Sequence, residues 1–197
     1  QNLRGKLLFC KSVEEIMGYE GAAARIYFST LGKLIDSEFT FSGRNMRPPL
    51  DPFNSMISLG YSIILNEIYG KLEGKGLNPY FGILHKDREK HPTLASDMME
   101  EWRAVLIDTL VMGMLNGHEL SKENFYRDSE SGAVLLDKEG FKKYIGKLEN
   151  KFHADQKYLS YIDYRVSFRR ALDLQVNQLT KAIEENDASL YMPVVIR

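Results

Sequence analysis

Residues 51–74 read DPFNSMISLGYSIILNEIYGKLEG, and this stretch decides the fold. Asp51 is a typical N-cap residue and Pro52 is favoured in the first turn of a helix, so we predict that a helix begins here. Either Gly74 or Gly76 is expected to end it, because glycine accepts the backbone conformation that follows a helix. Helical signals of the same kind dominate the rest of the chain. We therefore predict an all-α, mainly helical fold.

Glu67 is a carboxylate on the apolar face of this predicted helix. At about 3.6 residues per turn, it shares one side of the helix with four apolar or small residues. These residues are Met56, Gly60, Ile63 and Ile64. The opposite side is polar and carries Ser55, Ser58, Ser62 and Asn66. Because burying an unpaired carboxylate costs free energy, Glu67 needs a metal ion, a raised pKa or a cationic partner such as a buried Arg or Lys.

Further candidate ligands follow along the chain. His85 ends a short apolar run, and the helix predicted to begin near Pro92 carries Asp97, Glu100 and Glu101. Spacings of three and four residues put Asp97 on one helical face with either glutamate, and the spacing does not choose between them. One imidazole with several carboxylates suits Mg²⁺ or Mn²⁺ better than structural zinc. The alternatives are a hydrogen-bonded core histidine and a solvated acidic helix face.

The composition is that of an ordinary soluble globular domain. The chain has 197 residues, of which 44% are hydrophobic and 27% charged, so we predict one domain over residues 1–197. The single cysteine, Cys10, excludes an internal disulfide bond and fits a reducing cytoplasm. No signal peptide is evident, and Asp108 interrupts the apolar run of residues 105–115. We therefore expect a cytoplasmic protein that does not span a membrane.

The net charge of -1 leaves any contact with nucleic acid to local basic clusters, because phosphate binding usually requires a basic surface. One cluster lies in a proline-rich loop, one just after His85 and one on a late helix. Their members are Arg44, Arg47, Lys86, Arg88, Arg165, Arg169 and Arg170. Such residues also commonly solubilise a surface, which is the alternative interpretation.

The remaining segments have weaker signals. Pro92 is expected to open a helix that runs to about Asn116. Residues 133–136 are typical of a short strand or an extended loop. Beyond about Gly140 the pattern is helical again, with a long amphipathic stretch from about residue 155 to residue 185.

Five blocks of sequence, taken together, resemble the CRISPR-associated integrase family that inserts new spacers during adaptation. They are residues 20–28 (EGAAARIYF), 43–54 (GRNMRPPLDPFN), 59–67 (LGYSIILNE), 82–85 (GILH) and 96–103 (SDMMEEWR). The order and spacing of the blocks match, as does a tail that contains residues 168–170 and 191–193. The resemblance covers nearly the whole chain, and its motifs are specific as a set.

The resemblance implies a metal site made of a glutamate, a histidine and a further acidic residue. These carry over onto Glu67, His85 and Glu100 as catalytic residues and ligands of Mg²⁺ or Mn²⁺, with Asp97 in a supporting role. The choice of Glu100 over Glu101 comes from the resemblance alone. An alternative role for His85 is that of a proton carrier, because histidine ordinarily titrates near neutral pH.

The resemblance also implies a fold and an activity. It identifies the chain as the helical catalytic domain of the family, without the N-terminal β-domain through which full-length members form homodimers, and it makes residues 1–8 a remnant of the linker. The implied enzyme is a metal-dependent DNA endonuclease and integrase, which inserts spacers into a CRISPR array by attack of a 3'-hydroxyl on a phosphodiester. Its implied partners are double-stranded spacer precursor, the CRISPR repeat and a small companion adaptation protein. The alternative is a non-catalytic helical module that binds DNA or protein.

Overall fold

The structure, a computed structural model, describes residues 3–194 and is mainly helical, as predicted. The α-helices are α1 (Leu3–Leu7), α2 (Val13–Gly32), α3 (Pro52–Gly74), α4 (Thr93–Met99), α5 (Thr109–Asn116), α6 (Lys138–His153) and α7 (Phe168–Glu184). A π-helix spans Ala104–Asp108, and short 3-10 helices span Lys122–Asn124 and Ala188–Leu190. Two antiparallel hairpins pair β1 (Phe125–Arg127) with β2 (Val134–Leu136) and β3 (Asp155–Gln156) with β4 (Val166–Ser167). Of the expected linker, residues 1 and 2 lie outside the described residues.

Helix α3 is the central element, and its bounds agree with the prediction. The Asp51 side chain accepts a hydrogen bond from the backbone N–H of Asn54 (2.8 Å), and the helix ends at Gly74. Helix α3 packs against α4, the π-helix, α5, α7 and β2. Its largest fully buried side chains are Phe53, Met56, Ile57, Ile64, Ile68 and Leu72. The hydrophobic core is therefore arranged around this helix.

Gly60 of α3 allows two neighbouring elements to approach closely. The hydroxyl of Tyr144 on α6 and the side chain of Ile107 in the π-helix occupy the space that a Cβ atom at this position would fill. Tyr144 is fully buried, and its hydroxyl donates a hydrogen bond to the carbonyl oxygen of Met56 (3.0 Å). Position 60 therefore requires a residue without a side chain.

The helix predicted from Pro92 to Asn116 is divided in the structure. Residues 100–102 form a turn after α4, and the π-helix comes before α5. The backbone N–H of Thr109 donates to the carbonyl oxygen of Ala104, five residues earlier. This wider turn changes which way the following side chains face. The prediction of one continuous helix is wrong because hydrophobic periodicity does not report a local change of register.

The amphipathic helix expected from about residue 155 begins only at Phe168. The hairpin of β3 and β4 occupies the preceding residues and pairs Asp155 with Ser167. Ser167 also caps α7, because its side chain accepts a hydrogen bond from the backbone N–H of Arg170. The early start was wrong because the apolar pattern continues through the hairpin, where it reflects burial of strand residues.

Of the two alternatives for residues 133–136, a short strand or an extended loop, the structure has a short strand, β2, at Val134–Leu136. The backbone N–H of Val134 donates to the carbonyl oxygen of Pro49 (2.8 Å), which ties this hairpin to the segment that leads into α3. Across residues 3–194, no helix combines the length and the apolar character needed to cross a membrane.

Replacing Gly60 by Ala is expected to destabilise the fold by about 1–3 kcal/mol, because the new methyl group overlaps Tyr144 and Ile107. Gly70 in the same helix is the matched control. A Cβ at that position meets no atom within 4 Å, so Gly70→Ala should stabilise the protein by up to about 1 kcal/mol. Urea unfolding of both variants measures the difference, and equal effects would refute the packing account.

Candidate metal and nucleic-acid site

Asp97 of α4 holds His85 in a fixed orientation. One oxygen of the Asp97 carboxylate, Oδ2, accepts hydrogen bonds from the backbone N–H groups of Ile83 (2.7 Å) and Leu84 (2.8 Å). The other, Oδ1, lies 2.5 Å from Nδ1 of the His85 ring. The Asp97 side chain is only 8% exposed, so these bonds are shielded from solvent. The contact with Nδ1 leaves Nε2 as the ring nitrogen available to a ligand.

The loop that carries His85 is folded tightly against α4. The backbone N–H of Gly82 donates to Oδ1 of Asp87 (2.7 Å), which closes the loop. A Cβ on Gly82 would overlap the carbonyl oxygen of His85 and the side chain of Thr93, the first residue of α4. The position of the imidazole is therefore set by packing as well as by Asp97.

Glu20 on α2 faces this imidazole. Its Oε2 atom lies 3.8 Å from Nε2 of His85, and its side chain is 37% exposed. Glu20 is not among the site residues predicted from the sequence, although it is the first residue of the 20–28 block. The spacing along the chain could not reveal the contact, because α2 and the histidine loop are brought together only by the tertiary fold.

Glu100 lies in the turn that follows α4 and is held by Arg103. The two guanidinium nitrogens of Arg103 contact its two carboxylate oxygens at 2.8 and 2.7 Å. Burial raises the pKa of Glu100, while the charge of Arg103 opposes the rise; Glu20 and Asp97 raise the pKa further and His85 lowers it. The carboxylates of Glu20, Asp97 and Glu100 and the imidazole of His85 thus share one region of the surface.

Glu101 points away from this region into contacts with the end of the described chain. Its carboxylate accepts hydrogen bonds from the Tyr191 hydroxyl (2.9 Å), the Val194 backbone N–H (3.1 Å) and the Gln175 amide (3.2 Å). Gln175 also donates to the carbonyl oxygen of Met192 (2.9 Å). The two neighbouring glutamates, which the sequence spacing did not separate, therefore have different surroundings in the fold.

Glu67 forms a network of ion pairs and is not an unpaired buried carboxylate. Its side chain is 25% exposed and lies 3.2 Å from Nζ of Lys71 and 3.2 Å from Nε of Arg169. Lys71 also pairs with Asp173 (2.7 Å), and Arg169 with Glu149 (2.8 Å). Lys71 of the same helix and Arg169 of α7 supply cations to that face. The cationic partner that we considered as an alternative is the one observed.

The structure brings together some of the predicted ligands and leaves others apart. His85 contacts Asp97 and Glu20, and Glu100 lies within electrostatic reach of all three. The ion pairs formed by Glu67 involve neither His85 nor Glu100 within residues 3–194. In the same described range, no three Asp, Glu, His or Cys side chains are arranged to hold one metal ion. The bidentate contact with Arg103 accounts for the orientation of the Glu100 carboxylate.

A further carboxylate, that of Asp108 in the π-helix, is buried beside this region. It accepts hydrogen bonds from the hydroxyls of Tyr61 on α3 (2.5 Å) and Tyr27 on α2 (2.7 Å). The guanidinium groups of Arg44 and Arg103 lie 5.5 and 5.9 Å from the centre of the Tyr61 ring. Burial raises the pKa of Asp108, although the two tyrosines and the two arginines oppose the rise. This cluster joins α2, which carries Glu20, to the core.

Most of the basic residues proposed for DNA contact are engaged within the protein. Arg44 is half-buried and donates to the side chains of Asn54 (2.9 Å) and Ser58 (3.0 Å), and burial lowers its pKa. Lys86 pairs with Glu14 (3.3 Å).

The late basic cluster is engaged in a similar way. Arg165 donates to the carbonyl oxygen of Asp155 (2.8 Å), Arg169 is in the network with Glu67, and Arg170 lies 3.7 Å from Asp173. Arg47 and Arg88 are exposed. The assignment of these residues to DNA stays a prediction.

The chain matches a known protein family. Residues 1–150 match the family model described as CRISPR associated protein Cas1. A CRISPR-associated endonuclease Cas1 from Mycobacterium tuberculosis is 40% identical over 185 residues, which are 94% of this chain and 55% of the relative. One from Thermus thermophilus is 35% identical over 184 residues, which are 93% of this chain and 54% of the relative. The chain thus spans about half the length of the curated relatives it matches.

Solved structures share the fold. A chain of a Cas6-RT-Cas1–Cas2 complex aligns with a TM-score of 0.86 and 28% identity, over 97% of this chain and 20% of that one. A casposase bound to integration product aligns with a TM-score of 0.85 and 26% identity, over 96% and 53%. The fold is therefore of the class found in Cas1 proteins and a casposase. Together with the family match, this means that the chain belongs to the Cas1 family.

Replacing Asp108 by Asn is expected to change how stability depends on pH. Burial raises the folded-state pKa of Asp108 above its ordinary value of 3.8, so the folded protein holds the proton more tightly than the unfolded chain. The resulting stabilisation is present below about pH 3.8 and is lost as the pH rises through the folded-state pKa. As the pH rises from about 4 to 7, the parent should therefore lose this stabilisation while Asp108→Asn does not. The free energy of unfolding of the variant should increase relative to that of the parent over this range.

The matched control is Asp128→Asn. The side-chain hydrogen bond from Ser131 lowers the pKa of Asp128, so the ionised carboxylate stabilises the parent at neutral pH and this effect is lost on acidification. As the pH rises, the free energy of unfolding of Asp128→Asn should therefore decrease relative to that of the parent. Urea unfolding at both pH values measures the two trends. If the stability of both variants changed with pH in the same direction, the raised pKa of Asp108 would be contradicted.

Proposed function

We propose that this chain is the catalytic part of a metal-dependent DNA endonuclease and integrase, which inserts new spacers into a CRISPR array. The observation that carries the proposal is the orientation of His85. Asp97 holds its Nδ1, and its Nε2 faces Glu20 at 3.8 Å. Clamping of one histidine nitrogen by a carboxylate is the usual support for a metal-binding imidazole.

The residues proposed to hold Mg²⁺ or Mn²⁺ are Glu20, His85 and Glu100, with Asp97 orienting His85. Glu20 takes the place that the resemblance gave to Glu67. Carboxylate oxygens with one imidazole fit these ions. The pKa of Glu100, raised by burial and by neighbouring carboxylates, also fits, because a cation would relieve both effects. When bound, the ion supplies Lewis acidity to the scissile phosphate and to the attacking oxygen.

The protein's own groups prepare this chemistry. The hydrogen bond between Asp97 and Nδ1 of His85 fixes the ring, so that Nε2 carries the lone pair that faces Glu20. Arg103 holds the Glu100 carboxylate and must release it for ligand binding, and its guanidinium is then free to contact a phosphate. Attack on the phosphodiester by a DNA 3'-hydroxyl gives integration, and attack by water gives cleavage. One site therefore supports both outcomes.

The proposed partners follow from the family and its relatives. They are double-stranded spacer precursor and CRISPR repeat DNA, and a small companion adaptation protein. One structural relative is a Cas6-RT-Cas1–Cas2 complex and another is a casposase bound to integration product, which supports these two kinds of partner. We also propose homodimerisation of the full-length protein and a cytoplasmic location.

The alternative is a non-catalytic helical module that binds DNA or protein. The observation that favours it is the ion pair between Glu100 and Arg103, together with the lack of three convergent ligands within residues 3–194. The two proposals differ in metal binding. Calorimetric titration with Mn²⁺ separates them, because only the enzyme requires the ion.

Glu20→Gln, His85→Ala and Glu100→Gln are each expected to lower Mn²⁺-dependent cleavage and strand transfer at least about 100-fold. Asp97→Asn should weaken Mn²⁺ binding about 10- to 100-fold, because the imidazole loses its support. Labelled DNA reports cleavage and joining, and calorimetry reports metal affinity. A Glu20→Gln variant that cleaves at the parent rate would remove Glu20 from the site.

Glu67→Gln is the matched control for these variants. It removes the same charge from α3 and breaks ion pairs with Lys71 and Arg169. We expect the free energy of unfolding to fall by about 1 kcal/mol or less, because the pairs are partly solvated, while cleavage continues. Loss of cleavage without loss of fold in this variant would return Glu67 to the site in place of Glu20.

A further inference from the structure

Helix α2 carries Glu20 but is attached to the core mainly near its other end. Of its residues, Phe28 and Leu31 are buried, and Phe28 lies about 12 Å along the helix from Glu20 at a rise of about 1.5 Å per residue. A Cβ added to Gly18 or Gly21 would meet no atom within 4 Å, so the fold is open around these two positions. The position of Glu20 therefore depends on what fixes the direction of the helix.

Tyr27 provides the polar anchor of α2. Its hydroxyl donates a hydrogen bond to Oδ2 of Asp108 (2.7 Å), a carboxylate that is 1% exposed. Within the described residues, this is the one hydrogen bond that ties a side chain of α2 to a buried group outside the helix. The ion pair between Glu14 and Lys86 (3.3 Å) is exposed to solvent and therefore holds the helix weakly. A hydrogen bond to a shielded carboxylate is the stronger restraint.

Tyr27 and Glu20 lie on the same side of α2. They are seven residues apart, which is close to two full turns of an α-helix. Any rotation of the helix about its axis, or tilt about its buried end, therefore moves both side chains together. The bond that holds the Tyr27 hydroxyl also restrains the direction in which the Glu20 carboxylate points.

The acceptor of this bond is itself fixed from the opposite side. The hydroxyl of Tyr61 on α3 donates to Oδ1 of Asp108 (2.5 Å), so each carboxylate oxygen has its own tyrosine. The central helix α3 is held independently by its fully buried apolar side chains. Asp108 is therefore a rigid point of the core to which α2 is tied.

We propose that Tyr27 and Asp108 are positioning residues for Glu20. Their hydrogen bond sets the direction of α2 and thereby holds the Glu20 carboxylate opposite Nε2 of His85, at the observed 3.8 Å. Neither residue contacts the ion or the DNA, and both act through Glu20. The role of Glu20 as a ligand rests on the proposed function, whereas the anchoring of α2 does not.

The first experiment compares Tyr27→Phe with the parent in the full-length protein. The substitution removes the hydroxyl but keeps the ring, which packs edge-on against Phe28 (5.2 Å between centres). The dissociation constant for Mn²⁺, measured by calorimetry, should rise about tenfold, as when a ligand loses its support. Cleavage at saturating Mn²⁺ should stay close to that of the parent, because the bound ion itself then holds Glu20.

Tyr61→Phe is the matched control. It removes the other hydrogen bond of the same carboxylate, but from α3, which carries none of the residues proposed to hold the ion. This variant should lower the melting temperature while its affinity for Mn²⁺ remains that of the parent. An equal loss of affinity in the two variants would show that Tyr27 stabilises the fold in general, and would overturn the proposal.

A double-mutant cycle tests whether Tyr27 acts through Glu20. Glu20→Gln alone should weaken Mn²⁺ binding, and adding Tyr27→Phe should then cause no further loss, because the residue that Tyr27 positions has already been disabled. Additive losses of affinity would mean that Tyr27 affects the ion by another route, and the assignment would be wrong.

Hydrogen exchange measures the anchoring without any metal. Backbone amides in residues 16–24 of α2 should exchange about tenfold faster in Tyr27→Phe, since a hydrogen bond to a charged group is lost. Amides of α3 should exchange as in the parent. Unchanged exchange in α2 would overturn the proposal.

The two proposals fail in different ways. If Glu20→Gln weakens Mn²⁺ binding but Tyr27→Phe does not, the positioning role is wrong and the enzyme remains. If exchange in α2 rises in Tyr27→Phe but Glu20→Gln binds Mn²⁺ as the parent does, Glu20 is not a ligand and the proposed site is wrong, while the anchoring of α2 remains.

Discussion

The close packing of neighbouring elements around α3 is the constraint on which the rest of the structure depends. At Gly60 the π-helix and α6 both reach the backbone of α3, and the Tyr144 hydroxyl uses the gap to bond Met56. The same helix supports α4, and α4 carries Asp97 and thereby orients His85. A precise imidazole at the surface is thus a consequence of dense packing in the core.

The candidate site joins two parts of unequal rigidity. On one side, the shielded carboxylate of Asp97 fixes the histidine loop through several hydrogen bonds. On the other, Glu20 lies on α2, a helix of which only Phe28 and Leu31 are buried. Tyr27, from the same helix, bonds to buried Asp108. The distance between Glu20 and His85 therefore depends on a tyrosine–carboxylate contact that belongs to neither ligand.

Local signals in the sequence were sufficient for much of the fold. The cap at Asp51 and the glycine at position 76, which adopts a positive φ just beyond α3, set the bounds of this helix through short-range backbone chemistry. The sequence could not predict the π-helix, since a change of register leaves the apolar pattern intact. It also could not show that Arg169, far away along the chain, pairs with Glu67, or that Glu20 faces His85. Contacts between distant segments decide which carboxylates share a site.

The bonds of Glu101 have a consequence for the order of synthesis. The carboxylate next to Glu100 is satisfied by Tyr191 and Val194, about ninety residues later in the chain. Because a ribosome makes the N-terminal part first, the turn that carries both glutamates emerges before its partners exist. This acidic turn is then locked in place only after residues 191–194 have been translated. The nascent chain thus acquires its finished turn only after residues 191–194 have emerged, when the core formed by residues 28–179 is already available for folding.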